Sequence, residues 1–291
     1  MRAEANEEQG QANNPYVTHP AMITDILQET AETKTYTFEF AKQERSFVFI
    51  PGQFNMISLP GFGEGPFSIA SSPLQKGTFK HTIRTAGSLT RQINRLNIGD
   101  IVGVRGPYGR GWPVNLAKDK DLLIIAGGIG LAPFRGLIDM IIEQRDGFGE
   151  VEIMYGSRKP ENLIFTRDYD SWRSASNIRL FLTVDEVPKG VEWPYEQGVV
   201  TNLLNFSKID PANALALICG PEIMMRFIVR SLLIRGFAEG NIFVSMERRM
   251  ECGMAKCGRC MIGPKYVCTD GPVFSYGDAK TLPHNLLTAI L

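Results

Sequence analysis

The chain has 291 residues and carries 31 basic and 31 acidic side chains, so its formal net charge at neutral pH is zero. The chain therefore lacks the excess of positive charge that is typical of a nucleic-acid-binding protein. Its longest apolar run is too short and too rich in glycine to cross a bilayer. The N-terminus lacks the apolar segment of a signal peptide, and four clustered cysteines are typical of a reducing compartment. We therefore expect a cytoplasmic protein that neither binds nucleic acid nor inserts into a membrane.

Residues 1–18 are predicted to form a flexible tail, because Glu, Gln, Asn and Ala dominate this stretch. Residues 19–116 follow, with short runs such as Thr35–Phe40 that alternate with period two between Gly and Pro turns. A short helix is expected over residues 90–96. The predicted strands are 35–40, 54–59, 67–70, 78–85 and 100–104. Many short strands with regular turns predict a small closed β-barrel.

Residues 117–242 change to alternating strands and helices. Leu122–Ala126 is a continuous apolar run, as expected of a strand that is buried in a parallel sheet. The other predicted elements are strands 151–155, 178–184 and 215–219 and helices 134–144 and 221–235. This pattern predicts a doubly wound α/β nucleotide-binding domain.

Two strand ends of the α/β domain are candidate ligand sites, because open parallel sheets bind ligands at the carboxyl ends of their strands. In the first, glycines let the backbone approach a pyrophosphate at a helix N-terminus, although a tight turn without a ligand is the alternative. The second is a Cys-Gly-Pro turn, for which a buried thiol without a role is the alternative. The candidates are Gly127, Gly128, Ile129, Gly130, Ala132 and Pro133 in the first and Cys219, Gly220 and Pro221 in the second.

Two segments of the barrel are candidate cofactor sites. One offers an aromatic ring, hydroxyls and strand backbone, although an ordinary barrel strand can have the same composition. The other ends a strand and opens the short helix, where an arginine and helix-terminal N–H groups can bind phosphate. The candidates are Pro66, Phe67, Ser68, Ile69 and Ser71 in the first and Ile83, Arg84, Ser88, Leu89 and Thr90 in the second.

Residues 243–291 contain four of the five cysteines, and we expect them to form a small C-terminal module. Cys252, Cys257, Cys260 and Cys268 have the spacing C-x4-C-x2-C-x7-C, which opens with the plant-type ferredoxin spacing for a 2Fe–2S cluster. A structural zinc site is the main alternative, but zinc prefers tight cysteine pairs that a longer spacer separates. Disulfides are a further alternative. The spacing therefore favours a 2Fe–2S cluster.

The order of barrel, Gly-rich sheet domain, Cys-Gly-Pro turn and four cysteines resembles the ferredoxin–NADP reductase superfamily of flavoproteins. The barrels of that family carry a flavin motif, R-x-[YF]-S-x-x-S, which Phe67, Ser68 and Ser71 match and in which Gly65 replaces the arginine. The resemblance implies that Phe67 and Ser68 lie against the flavin ring, and that the two turns of the sheet domain bracket the nicotinamide nucleotide.

Residues 245–260, 266–274 and 106–113 resemble one branch of that superfamily. The branch holds the gamma subunits of cytoplasmic NiFe hydrogenases (sulfhydrogenases), the corresponding subunit of anaerobic sulfite reductase and the electron-transfer subunit of dihydroorotate dehydrogenase. The resemblance implies FAD, NAD(P) and a 2Fe–2S cluster, and electron transfer to the iron–sulfur and catalytic subunits of a multi-subunit redox complex. A NiFe hydrogenase is the favoured partner; a sulfite reductase, a dihydroorotate dehydrogenase or a heterodisulfide reductase-type complex is the alternative.

In this interpretation the cofactors carry the chemistry and the protein positions them. Ser68 would hydrogen-bond near N5 of the flavin and Cys219 would pack at the nicotinamide. Glu247, which precedes the cluster loop, would lie near the flavin, with a surface salt bridge as the alternative.

The choice between NAD and NADP rests on two conflicting signals. Ser157 and Arg158 follow one strand of the sheet, where they can bind a 2′-phosphate. Asp185 follows the next strand, where a carboxylate favours ribose hydroxyls and therefore NAD. The sequence favours NAD by a small margin.

Two other classes of function remain open at this point. One is an independent reductase that needs no partner subunit and would turn over a diffusible acceptor. The other is a non-redox nucleotide-binding module with a structural zinc, which would contain no iron and have no visible colour.

Overall fold

The computed structural model describes residues 15–41 and 47–283, so most of the predicted tail lies outside the described residues. Six antiparallel strands form the first sheet, in the spatial order β4-β3-β6-β1-β2-β5. A backbone bridge between Ile69 and His81 joins the end of β4 to β5 and closes the sheet into the predicted barrel. The strands are β1 (His19–Thr30), β2 (Thr33–Phe40), β3 (Phe54–Leu59), β4 (Gly63–Ser68), β5 (Thr78–Arg84) and β6 (Ile101–Tyr108).

Strand β1 is the largest difference from the predicted barrel, since no strand was expected over residues 19–30. Only Ala21 and Ile23 are buried along its 12 residues, and the register shifts twice in its pairing with β2. A bulged strand loses the clean alternation of apolar and polar residues that identifies a strand in a sequence. The short helix α1 (Ser88–Ile93) begins two residues before the predicted start.

Seven strands form the second sheet, in the order β10-β9-β8-β7-β11-β12-β15. All neighbouring pairs are parallel except β12 and β15. The strands are β7 (Asp121–Gly127), β8 (Val151–Ser157), β9 (Ile178–Val184), β10 (Glu196–Gln197), β11 (Ala214–Cys219), β12 (Ile242–Ser245) and β15 (Val273–Ser275). The order reverses direction between β7 and β11, as in a doubly wound sheet.

Helices connect these parallel strands, as predicted for an α/β domain. The two longest begin next to the two candidate nucleotide turns. The helices are α2 (Val114–Ala117), α3 (Ala132–Glu143), α4 (Tyr169–Ser174), α5 (Glu222–Ile234) and α6 (Tyr276–Ala279). Within residues 15–41 and 47–283, no helix is both long and apolar enough to cross a membrane.

The cysteine-rich segment, residues 246–272, leaves the second sheet after β12 and returns to it at β15. Within it, β13 (Met261–Ile262) and β14 (Lys265–Tyr266) form a small hairpin. The predicted boundary between residues 242 and 243 therefore falls inside a strand of the nucleotide-binding sheet. The domain limits themselves stay predictions.

Strand β3 of the barrel packs against this segment. Phe54 and Met56 belong to the same buried apolar cluster as Cys260, Val267 and Cys268, together with one face of the second sheet. The alternate side chains of β3, such as Ile57, belong to the separate core of the barrel interior. One strand therefore buries its two faces in two different cores, which fixes the barrel against the cysteine-rich segment.

Candidate cofactor and electron-transfer site

The two predicted cofactor segments of the barrel lie side by side. A Cβ atom built on Gly65 would lie 3.3 Å from Leu89 Cδ2 and 3.6 Å from the Phe67 ring, so α1 packs directly against β4. Pro66 is exposed and Phe67 and Ser68 are half-buried, which leaves this strand accessible. Leu89 thus packs against the position at which the family motif has arginine.

Arg84 lies exposed at the end of β5, just before α1. The first turn of α1 contains Ser88 and Thr90, and the Thr90 hydroxyl accepts hydrogen bonds of 2.8 Å from the N–H groups of Ala86 and Gly87. These bonds hold the turn that carries the predicted phosphate contacts. Their role in FAD binding stays a prediction.

Three of the predicted cofactor residues of the barrel have buried side chains. Ile69 and Ser71 are both fully buried, and Ile83 belongs to the core of the barrel. The Ser71 hydroxyl accepts a hydrogen bond of 3.1 Å from the Lys80 N–H. These side chains support the strands beneath the site instead of lining its open face.

A buried pair that the sequence did not reveal holds the end of β4 from inside the barrel. His81 and Asn55 are both fully buried. The Nδ1 atom of His81 lies 2.8 Å from the Ser68 carbonyl oxygen, and the Asn55 amide nitrogen lies 3.0 Å from His81 Nε2. Burial lowers the pKa of His81 to about 4, despite backbone hydrogen bonds that raise it. A neutral imidazole with its proton on Nδ1 satisfies both contacts.

The two predicted nucleotide turns meet at the carboxyl edge of the second sheet. Residues Gly128–Leu131 form a 3-10 turn that leads into α3, with Pro133 in the first turn of that helix. A Cβ atom on Gly130 would lie 2.5 Å from the Cys219 carbonyl oxygen and 2.9 Å from Gly220 Cα. Only a glycine permits this approach, which brings both turns into one site.

Two aromatic residues that the sequence did not single out support the first of these turns. The Trp112 indole N–H donates a hydrogen bond of 3.0 Å to the Pro133 carbonyl, and its ring stacks on Phe134 at 4.4 Å. The Tyr155 hydroxyl donates a hydrogen bond of 3.1 Å to the Gly128 carbonyl. Both contacts fix the backbone at the start of α3, where a phosphate would bind.

Cys219 is buried at the end of β11 and close to Glu247. Burial, followed by the charge of Glu247, raises the pKa of the thiol to about 12, although a hydrogen bond with Ser245 opposes this shift. The thiol is therefore protonated at neutral pH, and its packing against the nicotinamide stays a prediction. Glu247 itself is exposed.

The residues that bear on the choice between NAD and NADP lie next to each other. The Asp185 N–H donates a hydrogen bond of 3.0 Å to the Ser157 carbonyl, so the ends of β8 and β9 are adjacent. Arg158 and Asp185 are both exposed, whereas Ser157 is buried. The candidate 2′-phosphate residue Arg158 and the candidate ribose residue Asp185 therefore lie at neighbouring strand ends.

Backbone N–H groups surround the sulfur atoms of the cysteine loop. Cys252 Sγ accepts hydrogen bonds of 3.3–3.4 Å from Met254, Lys256 and Cys257, and Cys268 Sγ accepts one of 3.2 Å from Ala255. Burial opposes ionisation of Cys252, but these bonds lower its pKa to about 7. Burial raises the pKa of Cys268 to about 12. Thiolates, which such bonds stabilise, are the ligands of iron–sulfur clusters.

The cysteine side chains influence one another's pKa: Cys257 lowers that of Cys252, and Cys260 and Cys252 raise that of Cys268. All five cysteines of the chain lie within the described residues and are free thiols, so the disulfide alternative is wrong. No three His, Cys, Asp or Glu side chains in the described ranges converge on one point. Four neighbouring cysteines in one loop fit a binuclear cluster, in which four cysteine ligands would hold two irons.

Arg105 of β6 joins the barrel to the cysteine loop. Its Nε donates a hydrogen bond of 2.8 Å to Glu64 of β4, and its NH2 group donates one of 2.9 Å to the Glu251 carbonyl. The same side chain also bonds to the Cys252 carbonyl, to the second oxygen of Glu64 and to the Tyr108 hydroxyl. Arg105 lines a cleft of about 740 Å³ together with Glu64, Cys252 and the exposed Cys257.

Three family models match consecutive parts of the chain. The description "Oxidoreductase FAD-binding domain" matches residues 20–112, and "Oxidoreductase NAD-binding domain" matches residues 124–230. "Iron-sulfur cluster binding domain of dihydroorotate dehydrogenase B" matches residues 247–280, which include all four clustered cysteines. The chain therefore has binding domains for FAD, for a nicotinamide nucleotide and for an iron–sulfur cluster.

Curated relatives cover nearly the whole chain. The gamma subunit of sulfhydrogenase 2 from Pyrococcus furiosus is 36% identical over 282 residues, which are 91% of this chain and 97% of that protein. A probable dihydroorotate dehydrogenase B (NAD(+)) electron-transfer subunit from the same organism is 34% identical and matches 82% of this chain and 87% of that protein.

Among solved structures, that of an NADH-dependent reduced ferredoxin–NADP oxidoreductase has a TM-score of 0.70 at 23% identity and covers 88% of each chain. It supports the fold. The chain belongs to the ferredoxin–NADP reductase superfamily, in the branch of NAD(P)H-linked flavin and iron–sulfur electron-transfer subunits that includes the sulfhydrogenase gamma and dihydroorotate dehydrogenase B subunits.

Proposed function

We propose that this chain is the NAD(P)H-linked electron-transfer subunit of a cytoplasmic complex of the NiFe hydrogenase type. The observation that carries the proposal is the extent of the similarity to hydrogenase subunits. Two sulfhydrogenase gamma subunits match 91% and 93% of this chain at 36% identity, whereas six dihydroorotate dehydrogenase electron-transfer subunits match 82–90% of it at 30–36% identity.

In this proposal the chain's own residues position the cofactors, and none of them needs to act as a general base. When bound, NAD(P)H supplies a hydride, FAD exchanges two electrons or one, and a 2Fe–2S cluster exchanges single electrons. In this proposal the half-buried Phe67 and Ser68 would lie against the flavin ring. Gly130 and Cys219 bring the two nucleotide turns together, and the protonated Cys219 thiol offers an uncharged surface.

The arrangement of strands supports direct electron transfer from flavin to cluster. Ser68 and Phe67 of β4 pair with Phe54 and Asn55 of β3. The outward side chains of β3, including Met56, pack on the core that contains two of the cysteines. Neighbouring strands lie about 4.8 Å apart, so a single strand separates the candidate flavin strand from the cysteine-rich segment.

The cluster loop also reaches the surface, as an electron exit requires. Cys257 is exposed at the edge of the cleft, and Lys256, Arg259 and Met261 are exposed around it. We propose that an iron–sulfur subunit docks over residues 252–261. Charged and methionine side chains of this kind suit a protein interface.

Purification from the native organism tests the proposal. We expect the chain to co-purify with hydrogenase subunits, and we expect the isolated chain to reduce artificial dyes with NAD(P)H without evolving hydrogen. Exchanging Lys256 and Arg259 for glutamate should weaken the complex and spare dye reduction. Lys76 and Lys118, which are exposed and lie outside the cysteine-rich segment, provide the matched control. A lone chain with full physiological activity would refute the subunit assignment and favour an independent reductase.

A dihydroorotate dehydrogenase complex is the second candidate, because the family model that matches residues 247–280 is named for that enzyme. A dihydroorotate dehydrogenase partner in the native pull-down would select it. The iron content tests the cluster itself: the anaerobically purified chain should hold two irons per molecule. The Cys257→Ser variant should lose the cluster and keep reduction of bound flavin by NAD(P)H. Stoichiometric zinc without iron would instead identify a non-redox nucleotide-binding module.

A further inference from the structure

The guanidinium of Arg105 uses all five of its N–H groups. Two reach the carboxylate of Glu64, one reaches the Tyr108 hydroxyl, and two reach the carbonyl oxygens of Glu251 and Cys252. A guanidinium has five N–H donors, so no donor of Arg105 is left without a partner. One side chain therefore connects the candidate flavin strand, through Glu64, with the backbone of the first cluster cysteine.

This contact places a fixed positive charge beside the cluster loop. Arg105 is only 5% exposed, and Glu64 is 29% exposed. Burial lowers the pKa of the guanidinium, but Glu64 and Tyr108 raise it by more, so the side chain stays charged. A buried charge is costly unless it is paired and hydrogen-bonded, and here the pairing is complete.

We propose that Arg105 and Glu64 are positioning residues that hold the flavin strand at a fixed distance from the cluster loop and jointly set the reduction potential of the cluster. The inference rests on the FAD and the cluster of the proposed function and is independent of the partner. Charges and hydrogen bonds around the ligands are known to set such potentials. Because reduction adds negative charge to the cluster, Arg105 stabilises the reduced form and Glu64 opposes it.

Two variants that each remove one charge test the assignment through the sign of their effects. In the isolated holoprotein, Arg105→Gln should shift the midpoint potential of the cluster to more negative values. Glu64→Gln should shift it to more positive values, since Arg105 keeps its bonds to the two carbonyls. We expect each variant to change the equilibrium for cluster reduction about tenfold, which corresponds to about 59 mV for a one-electron couple. Redox titration followed by electron paramagnetic resonance measures both shifts.

Arg179→Gln is the matched control, because Arg179 lies on β9 and also pairs with a carboxylate, at 2.8 Å from Glu152. It should leave the cluster potential unchanged. Arg105→Lys keeps the positive charge but loses the five-donor guanidinium that joins β4 to the cluster loop. It should therefore keep the midpoint potential of the cluster and slow electron transfer from flavin to cluster. If Arg105→Gln fails to hold a cluster, Glu64→Gln and Arg105→Lys still decide the question. Shifts of the same sign in the Arg105→Gln and Glu64→Gln variants, or no shift in Glu64→Gln, would overturn the proposal.

Discussion

Acidification should destabilise the barrel through His81, which lies fully buried between Asn55 and the Ser68 carbonyl. Burial lowers the pKa of this histidine from 6.5 to about 4 in the folded protein. The unfolded chain therefore binds a proton at His81 over a pH range in which the folded protein does not. Protonation of the unfolded chain pulls the equilibrium towards unfolding.

The sign and size of the effect follow from these two pKa values. The contribution of His81 to the free energy of unfolding is fully present above pH 6.5 and is lost as the pH falls towards 4. Each pKa unit corresponds to about 1.4 kcal/mol, so the loss between pH 7 and pH 4 amounts to about 3 kcal/mol. This is a large part of the stability of an ordinary domain, which is about 5–15 kcal/mol.

Urea denaturation at a series of pH values measures this loss. His81→Gln should lower the free energy of unfolding at pH 7 and should remove the His81 part of the pH dependence. His19→Gln, at a half-buried histidine of β1, should retain that part. Carboxylates contribute equally to the pH dependence of unfolding in the parent chain and in both variants. The difference between the curves of unfolding free energy against pH therefore isolates the contribution of His81. Equal acid slopes in the parent chain and in His81→Gln would refute the reasoning.

Three further substitutions test other contacts. Gly136→Ala should lower the free energy of unfolding by about 1–3 kcal/mol, because the new Cβ would lie 2.0 Å from the Ser71 carbonyl oxygen. Gly147→Ala is the control in the same denaturation assay, since a Cβ at Gly147 would have no neighbouring atom within 4 Å. Gly253→Ala should reduce the iron content of the purified protein, because its φ of +77° costs a side chain about 1–2 kcal/mol; an unchanged iron content contradicts this. Arg84→Ala should weaken FAD binding about tenfold or more through the loss of a charge-assisted hydrogen bond of about 1.5–3 kcal/mol; unchanged flavin content would place the phosphates elsewhere.

The sequence predicted the parts of this protein that depend on short patterns. The buried strand over residues 122–126, the glycine turn after it and the cysteine spacing are each encoded within fewer than 20 residues. A short pattern reflects local backbone geometry, which neighbouring residues largely determine. The fold class, the cofactor types and the branch of the superfamily follow from these patterns and are confirmed by the sheet topology and the family comparisons.

The parts that the sequence did not reveal depend on partners far away in the chain. Arg105 bonds to the carbonyl of Cys252, 147 positions later, and no local pattern marks it as part of the cluster environment. His81 and Asn55 are 26 positions apart and meet only because the barrel closes. In each case the tertiary fold, and not the residue type, creates the site.

The pairing of β12 with β15 determines how the protein can move. Phe243 pairs with Ser275 and Ser245 with Val273, so both ends of the cysteine-rich segment are anchored in neighbouring strands of the nucleotide sheet. A segment held at both ends cannot swing between a donor and an acceptor as a tethered carrier does. The rate of electron transfer within the chain should therefore be independent of solvent viscosity, whereas diffusion-limited reduction of a free artificial dye should slow as viscosity rises.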